Sequence, residues 1–401
     1  MNFTGRTAAT FFPPVMEARR WLDGVTQPPG RPLINVSQAA PVDPPPEALR
    51  RVIAEAAMNT PEAHLYGAVL GMEGLRAEVA TQWNAGYGAS LGPANVGITS
   101  GCNQAFCAML STLCAEGDEV ILPTPWYFNH KMWLDMTGVR TVPLPTGATL
   151  LPDPEAAAAL ITPRTRAIVL VTPNNPGGVE YPATLVRALY EVAKAHGIAL
   201  IIDETYRDFD ARSGAPHDLM QDADWGETLI QLYSFSKAYR LTGHRVGAMV
   251  ASEARMAEAE KFLDAVAICP NQLGQIAALW GMRNLGEWLA GERAEILDRR
   301  AAIEEAMPRL SAKGWRLLGC GAYFAYMEHP FDMQSDELAK RLVAEAGVLL
   351  LPGTMFTPEG DAAGKRQLRV AFANVDRARI DTLFTRLEGL GWPLAPGYTS
   401  T

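Results

Sequence analysis

The chain has 401 residues, with 35 Lys plus Arg against 44 Asp plus Glu, a net charge of −9, 48% hydrophobic and 20% charged residues. That is the composition of a globular protein of two or three domains, outside the disordered and collagen-like ranges and long enough to need no disulfide staple. The acidic balance argues against a nucleic-acid footprint, no apolar run is long enough for a membrane span, and the early prolines and charges do not make a signal peptide.

Five cysteines (Cys102, Cys107, Cys114, Cys269, Cys320) form no C-x-x-C pair. An odd set of this kind reads as reduced thiols in a cytoplasm, packed as small buried hydrophobes, with no metal site.

Pro-rich stretches at 28–32 and 41–46 mark an N-terminal arm. Strands are then predicted at Val96–Thr99, Glu119–Pro123, Ala167–Val171, Ile198–Ile202, Leu229–Tyr233 and Val246–Val250, short apolar runs of the kind buried on both faces of a parallel sheet. Between two of them, Thr184 is expected to cap a helix carrying Leu185, Leu189, Val192, Ala193 and His196 on one stripe, closed by Gly197. The alternation fades after about residue 285. Helical stripes follow (Leu338, Leu342, Val343, Ala346; Ile380, Leu383, Phe384, Leu387), with strand-like runs near Ala322–Met327 and Gln367–Phe372. The expectation is an α/β fold with a large domain at 43–284 and a smaller α+β domain built from the arm, 1–42, and the C-terminal segment, 285–401.

Polar residues gather just past five strand ends: Ser100-Gly101-Cys102-Asn103, Pro125-Trp126-Tyr127, Asn174-Asn175-Pro176, Asp203-Glu204-Thr205-Tyr206 and Ser234-Phe235-Ser236-Lys237. Ligands of open parallel sheets bind at such ends, and the turn at Gly101 offers backbone N–H groups at a helix N-terminus. Ser234, Arg245 and the ring of Tyr127 suit an anionic, aromatic ligand.

The run SFSKAYRLTGHRVG, with IIDETY and NNPGG in the same order, resembles the fold type I pyridoxal-phosphate (PLP) enzymes, specifically the class I/II aminotransferases of the aspartate aminotransferase superfamily. The resemblance extends from Tyr66-Gly67 through LRVAFAN at 368–374 and implies a three-layer fold with a mostly parallel central sheet. It implies Lys237 as the Schiff-base lysine and proton carrier, Asp203 as partner of the pyridine nitrogen, and Tyr206 and Asn175 as partners of the ring oxygen. It also implies Ser234, Ser236, Arg245 and the turn Gly101-Cys102-Asn103 around the phosphate. Tyr127 would stack on the ring, with Thr205 on its other face. Arg369, with Asn175 and Ala39, would bind the substrate carboxylate. A homodimer is implied, with Tyr66 reaching the partner's phosphate and the arm packing on the neighbouring subunit.

Three positions depart from the family pattern: Ala39 replaces a glycine, Asn175-Pro176-Gly177-Gly178 replaces N-P-T-G, and Gly243-His244-Arg245 replaces G-W-R. Asn103 stands where an aspartate-using branch has a lysine, and Asn271 and Gln272 fall where another has an arginine, so a neutral or aromatic amino acid is the expected donor. Arg31 and Arg240 are the candidates for a substitute cation. Elimination or oxidation shares the first proton abstraction and stays open as an alternative, whereas a non-catalytic regulator would carry a DNA-binding domain before the core. Two further runs mimic other chemistries. GASLG at 88–92 lacks the strand and helix of a nucleophile elbow, and GCGAYF at 319–324 lacks the third glycine of a dinucleotide turn.

Overall fold

The computed structural model describes residues 4–397. The start of the arm lies against its own chain. Arg6 donates to the Thr137 carbonyl and pairs with Glu116, and Thr10 donates to Asp135 at 3.2 Å. Helix Pro14–Arg20 then buries Ala18 among Phe128, Val343, Leu349 and Phe356. Strand β1 (Ile34–Asn35) follows.

Seven strands form the central sheet: β2 (Val96–Thr99), β3 (Glu119–Thr124), β4 (Arg140–Pro145), β5 (Thr165–Val171), β6 (Ala199–Asp203), β7 (Leu229–Ser234) and β8 (Gly247–Val250). Their order is β2-β8-β7-β6-β5-β3-β4, and β8 alone runs antiparallel to its neighbours. Apolar clusters cover both faces, one around Trp83, Tyr190 and Phe235 and the other around Phe106, Met109 and Leu263. That makes three layers, and it explains why the strands read as continuous apolar runs.

A second sheet is antiparallel, in the order β12-β13-β10-β9, from β9 (Arg316–Gly321), β10 (Phe324–Glu328), β12 (Leu351–Pro352) and β13 (Gln367–Ala371). Between them, β11 (Val348–Leu349) pairs in parallel with β1, which joins the arm to this second body. Its core is separate, built on Ile303, Trp315, Phe372 and Phe384.

Some expectations are corrected. The helix after β5 is Ala183–Ala195, and Pro182 holds the cap position, with Thr184 inside the first turn. Proline's fixed φ and missing N–H suit it to a helix start, and there it displaces the hydroxyl cap. The buried stripe is Val186, Leu189, Tyr190 and Ala193, while His196 lies exposed beyond the end. Strand β4 was not foreseen, because Pro143 and Pro145 weaken its signal; it is one of the sheet's two edges, where proline is tolerated. The five cysteines are free, but only Cys102 and Cys320 are buried.

Candidate active site

The parallel strands deliver their following residues to one end of the sheet, where a cavity of about 130 Å³ is lined by Cys102, Asn103, Tyr127, Val171, Asn175, Asp203, Thr205, Tyr206, Ser234, Ser236, Lys237 and Arg245. All but one of these belong to segments at or just past strand ends. Arg245 arrives from before β8, and its backbone adopts φ 51° to do so.

Gly101 has φ 88° and precedes helix Cys102–Leu113. A Cβ there would lie 2.0 Å from Arg245 Nη2, and a Cβ on Gly247 would lie 2.6 Å from the Cys102 nitrogen. Two side chains are therefore missing where backbone, guanidinium and helix N-terminus converge, which is the construction of an anion cradle. Ser234 and Ser236 add hydroxyls, and Arg245 Nη1 lies 3.4 Å from Ser236 Oγ.

Asp203 ends β6 and is buried. Burial favours its neutral form, but His130 and the Thr205 hydroxyl and N–H outweigh that and hold the carboxyl below its ordinary range. Thr205 donates through its hydroxyl at 2.7 Å and its N–H at 3.0 Å. His130 Nε2 stands 3.4 Å from Asp203 Oδ2, and its ring stacks on Phe106 at 3.9 Å. The sequence alone assigned His130 no role. The available signal was the three-residue helical spacing that puts Tyr127 and His130 on one face.

Lys237 is half-buried, and Nζ donates to the Ala39 carbonyl at 2.6 Å. Burial first, and then the positive charges of Arg245 and Arg369, lower its pKa to about 8, so a reactive neutral amine is accessible near physiological pH. Tyr206 packs against Tyr323 and Phe324 of the second body, and its phenol is pushed well up by burial.

Arg369, on β13, is buried beneath Phe324 and Phe356, 5.0 and 4.9 Å from the ring centres. Nη1 donates to Asn175 Oδ1 at 2.9 Å and Nη2 to the Ser37 carbonyl at 2.5 Å, while Nε has no partner. A guanidinium has five N–H groups, so donors remain for an anion; burial lowers its pKa to about 10, which leaves it charged.

Tyr66 does not line this cavity, and 79% of its surface is exposed. Arg240 is paired with Glu292 at 2.8 Å and Arg31 donates to the Glu345 carbonyl, so each has a partner outside the cavity. Gly88 closes helix Glu73–Tyr87, so Ser90 has no elbow, and the GCGAYF run is a hairpin between β9 and β10.

A profile of the family described as aminotransferase class I and II matches residues 31–387. The chain belongs to the class I and II aminotransferases. Among curated relatives, arginine–pyruvate transaminase AruH of Pseudomonas aeruginosa is 31% identical over 76% of this chain and 77% of its own. Valine–pyruvate aminotransferase of Mycobacterium tuberculosis is 29% identical over 85% and 87%. An aspartate aminotransferase of Thermus thermophilus has the same fold, with a TM-score of 0.84 at 24% identity over 97% of this chain and 99% of that one. This aminotransferase is therefore PLP-dependent. The cavity fits that cofactor: an anion cradle at one end, a carboxylate held ionised at another, and a lysine amine between. No helix among the described residues is long and apolar enough to cross a membrane.

Proposed function

We propose that the chain moves the amino group of a neutral or aromatic amino acid to a 2-oxo acid by a ping-pong reaction. The observation that carries this reading is the enclosure of Lys237 and Asp203 in one cavity, with Arg369 in contact with Asn175 of its lining. PLP bound there supplies a ring that withdraws electrons and carries the amino group between the two half-reactions.

Ser234, Ser236, Arg245 and the N–H groups from Gly101 to Asn103 hold the phosphate. Tyr127 and Thr205 enclose the ring. Asp203, kept ionised by His130 and Thr205, holds a proton on the ring nitrogen, which stabilises negative charge developing at the substrate Cα. Tyr206 and Asn175 donate to the ring oxygen. Lys237 would hold the cofactor through its amine and would carry the Cα proton. Arg369 grips the α-carboxylate with the donors not spent on Asn175 and Ser37, and the Ala39 segment closes that side.

For the substrate side chain, Asn103 supplies an amide, and its Oδ1 accepts from Tyr127 at 3.3 Å. Asn271 caps its own helix through the Gly274 N–H. A distal carboxylate buried there without a cation costs several kcal/mol, by roughly the price of an unpaired ion, and this favours uncharged donors.

The chain is further proposed to act as a homodimer in the cytoplasm, with Tyr66 completing the partner's phosphate site. Exposed Met58, Leu65, Tyr66, Val266 and Ile268 support it, since the Gly67 N–H bond to Cys269 Sγ brings the two segments carrying them together. The division into 1–42, 43–284 and 285–401 belongs to the same proposal. A panel of amino acids, scored for conversion of bound PLP to its amino form, tests the transamination reading. Release of ammonia and pyruvate instead would make the chain a lyase.

A further inference from the structure

Two glycine runs that the chemistry leaves unused meet in space. Gly177-Gly178 lies in the turn after Asn175, and Gly319-Cys320-Gly321 ends β9 on the second sheet. A Cβ on Gly319 would lie 2.2 Å from the Gly177 carbonyl oxygen, one on Gly321 2.3 Å from the Gly178 oxygen, and one on Gly178 2.4 Å from the Phe324 oxygen. The two bodies touch here backbone to backbone. The turn itself is stiff: the Gly177 N–H donates to Asn174 Oδ1 at 2.7 Å and the Gly178 N–H to the Asn174 carbonyl at 2.9 Å.

The second sheet carries this contact to the site. Gly319 is paired with Tyr326 of β10, and Tyr326 with Arg369 of β13, so the three lie on one rung. Arg369 then returns to Asn175, two residues before Gly177. The ring of contacts Asn175–Gly177–Gly319–Tyr326–Arg369 is closed, and its only links that cross between the bodies are the glycine contact and the Arg369–Asn175 hydrogen bond.

We propose that this glycine-on-glycine contact is the spacer that sets the Arg369 guanidinium against Asn175, which makes Gly319 and Gly321 positioning residues for the substrate carboxylate. The inference rests on Arg369 as the carboxylate ligand. A methyl at 319 meets backbone atoms that have no rotamer to escape into, so the second sheet must shift by most of an ångström. Displacements of about 1 Å at a positioned group cost up to about a hundredfold in rate. The phosphate cradle and Lys237 lie on the first body and stay where they are.

The test uses Gly319→Ala and Arg369→Lys, singly and together, with Gly291→Ala as control because a Cβ there meets nothing within 4 Å. KM, kcat, PLP dissociation constant and melting temperature are measured for each. Gly319→Ala is expected to raise the donor's KM about tenfold or more with PLP affinity unchanged, and to add little on top of Arg369→Lys, because coupled residues are not additive. Gly321→Ala repeats the test from the adjacent contact and carries it if Gly319→Ala does not fold. An unchanged KM in a folded variant, or full additivity in the double variant, overturns the proposal. An unchanged KM for Arg369→Lys overturns instead the carboxylate reading beneath it.

Discussion

The buried imidazole of His130 faces the carboxylate of Asp203, with Nε2 3.4 Å from Oδ2. Of the interactions that hold that carboxyl down against burial, His130 is the largest. His130→Phe keeps the stack on Phe106 and removes the polar partner, so Asp203 should take up a proton more easily. The expected result is a fall in kcat of about tenfold or more, together with weaker PLP retention. Full activity would make His130 a packing residue.

Lys237→Ala should abolish turnover while the protein folds and holds PLP without a covalent bond. Borohydride should fix cofactor mass to the wild-type peptide containing Lys237. The pKa of Lys237 is lowered to about 8, so its reactive neutral amine grows as pH rises toward that value. Covalent loading of cofactor-free protein should therefore quicken with pH and level off above about 8. Label on another lysine ends the assignment.

Behind Asp203, Glu204 points to the opposite face, where Tyr87 and Gln231 donate to it and His217 lies 3.7 Å away. Burial raises its pKa from 4.5 to about 7, with the nearby Arg207 opposing. A carboxyl whose folded pKa is raised contributes stability fully present below the unfolded value and lost as pH rises through the folded one. Glu204→Gln should flatten the wild-type decline in melting temperature between pH 4.5 and about 7, a difference worth up to roughly 3 kcal/mol. Parallel profiles for the two proteins would show that Glu204 does not titrate in this range.

Asn103→Lys should place a cation beside Tyr127 and raise kcat/KM for aspartate by about tenfold, or about 1.4 kcal/mol, while lowering that for a neutral donor. A wild type that already prefers aspartate tenfold would refute the neutral-donor reading.

Mixing Tyr66→Phe chains with Lys237→Ala chains tests the shared site. Each parent is impaired, and random exchange should restore about a quarter of wild-type activity, one native site in each mixed dimer. A fully active monomer would end the dimer proposal.

The strand ends were the legible part of this chain. Lys237, Asp203, Asn175 and Ser234 each follow an apolar run, and a parallel sheet brings such positions together by its geometry alone. What sequence did not yield depends on a partner across a gap. His130 gains its role from Asp203 some seventy residues on, and Gly177 meets Gly319 through a contact that no local pattern records. Strand β4 was hidden by two prolines that only an edge accepts, and Pro182 took the cap expected of Thr184.

Strand β8 runs against the rest of its sheet, and Gly247, its first residue, sits beside Thr99 and Ser234, the last residues of β2 and β7. Chain direction thus decides which flank of each strand carries chemistry. For the parallel strands, changes in the segment that follows alter the cavity; for β8 the sensitive segment is the one before it, residues 240–246. Past Val250 the chain leaves from the end of the strand opposite Gly247 into helix Glu253–Ala267, whose buried side is apolar. Insertions at 251–253 should therefore spare the cofactor cradle, whereas one residue added at 243 or 244 would carry Arg245 out of it.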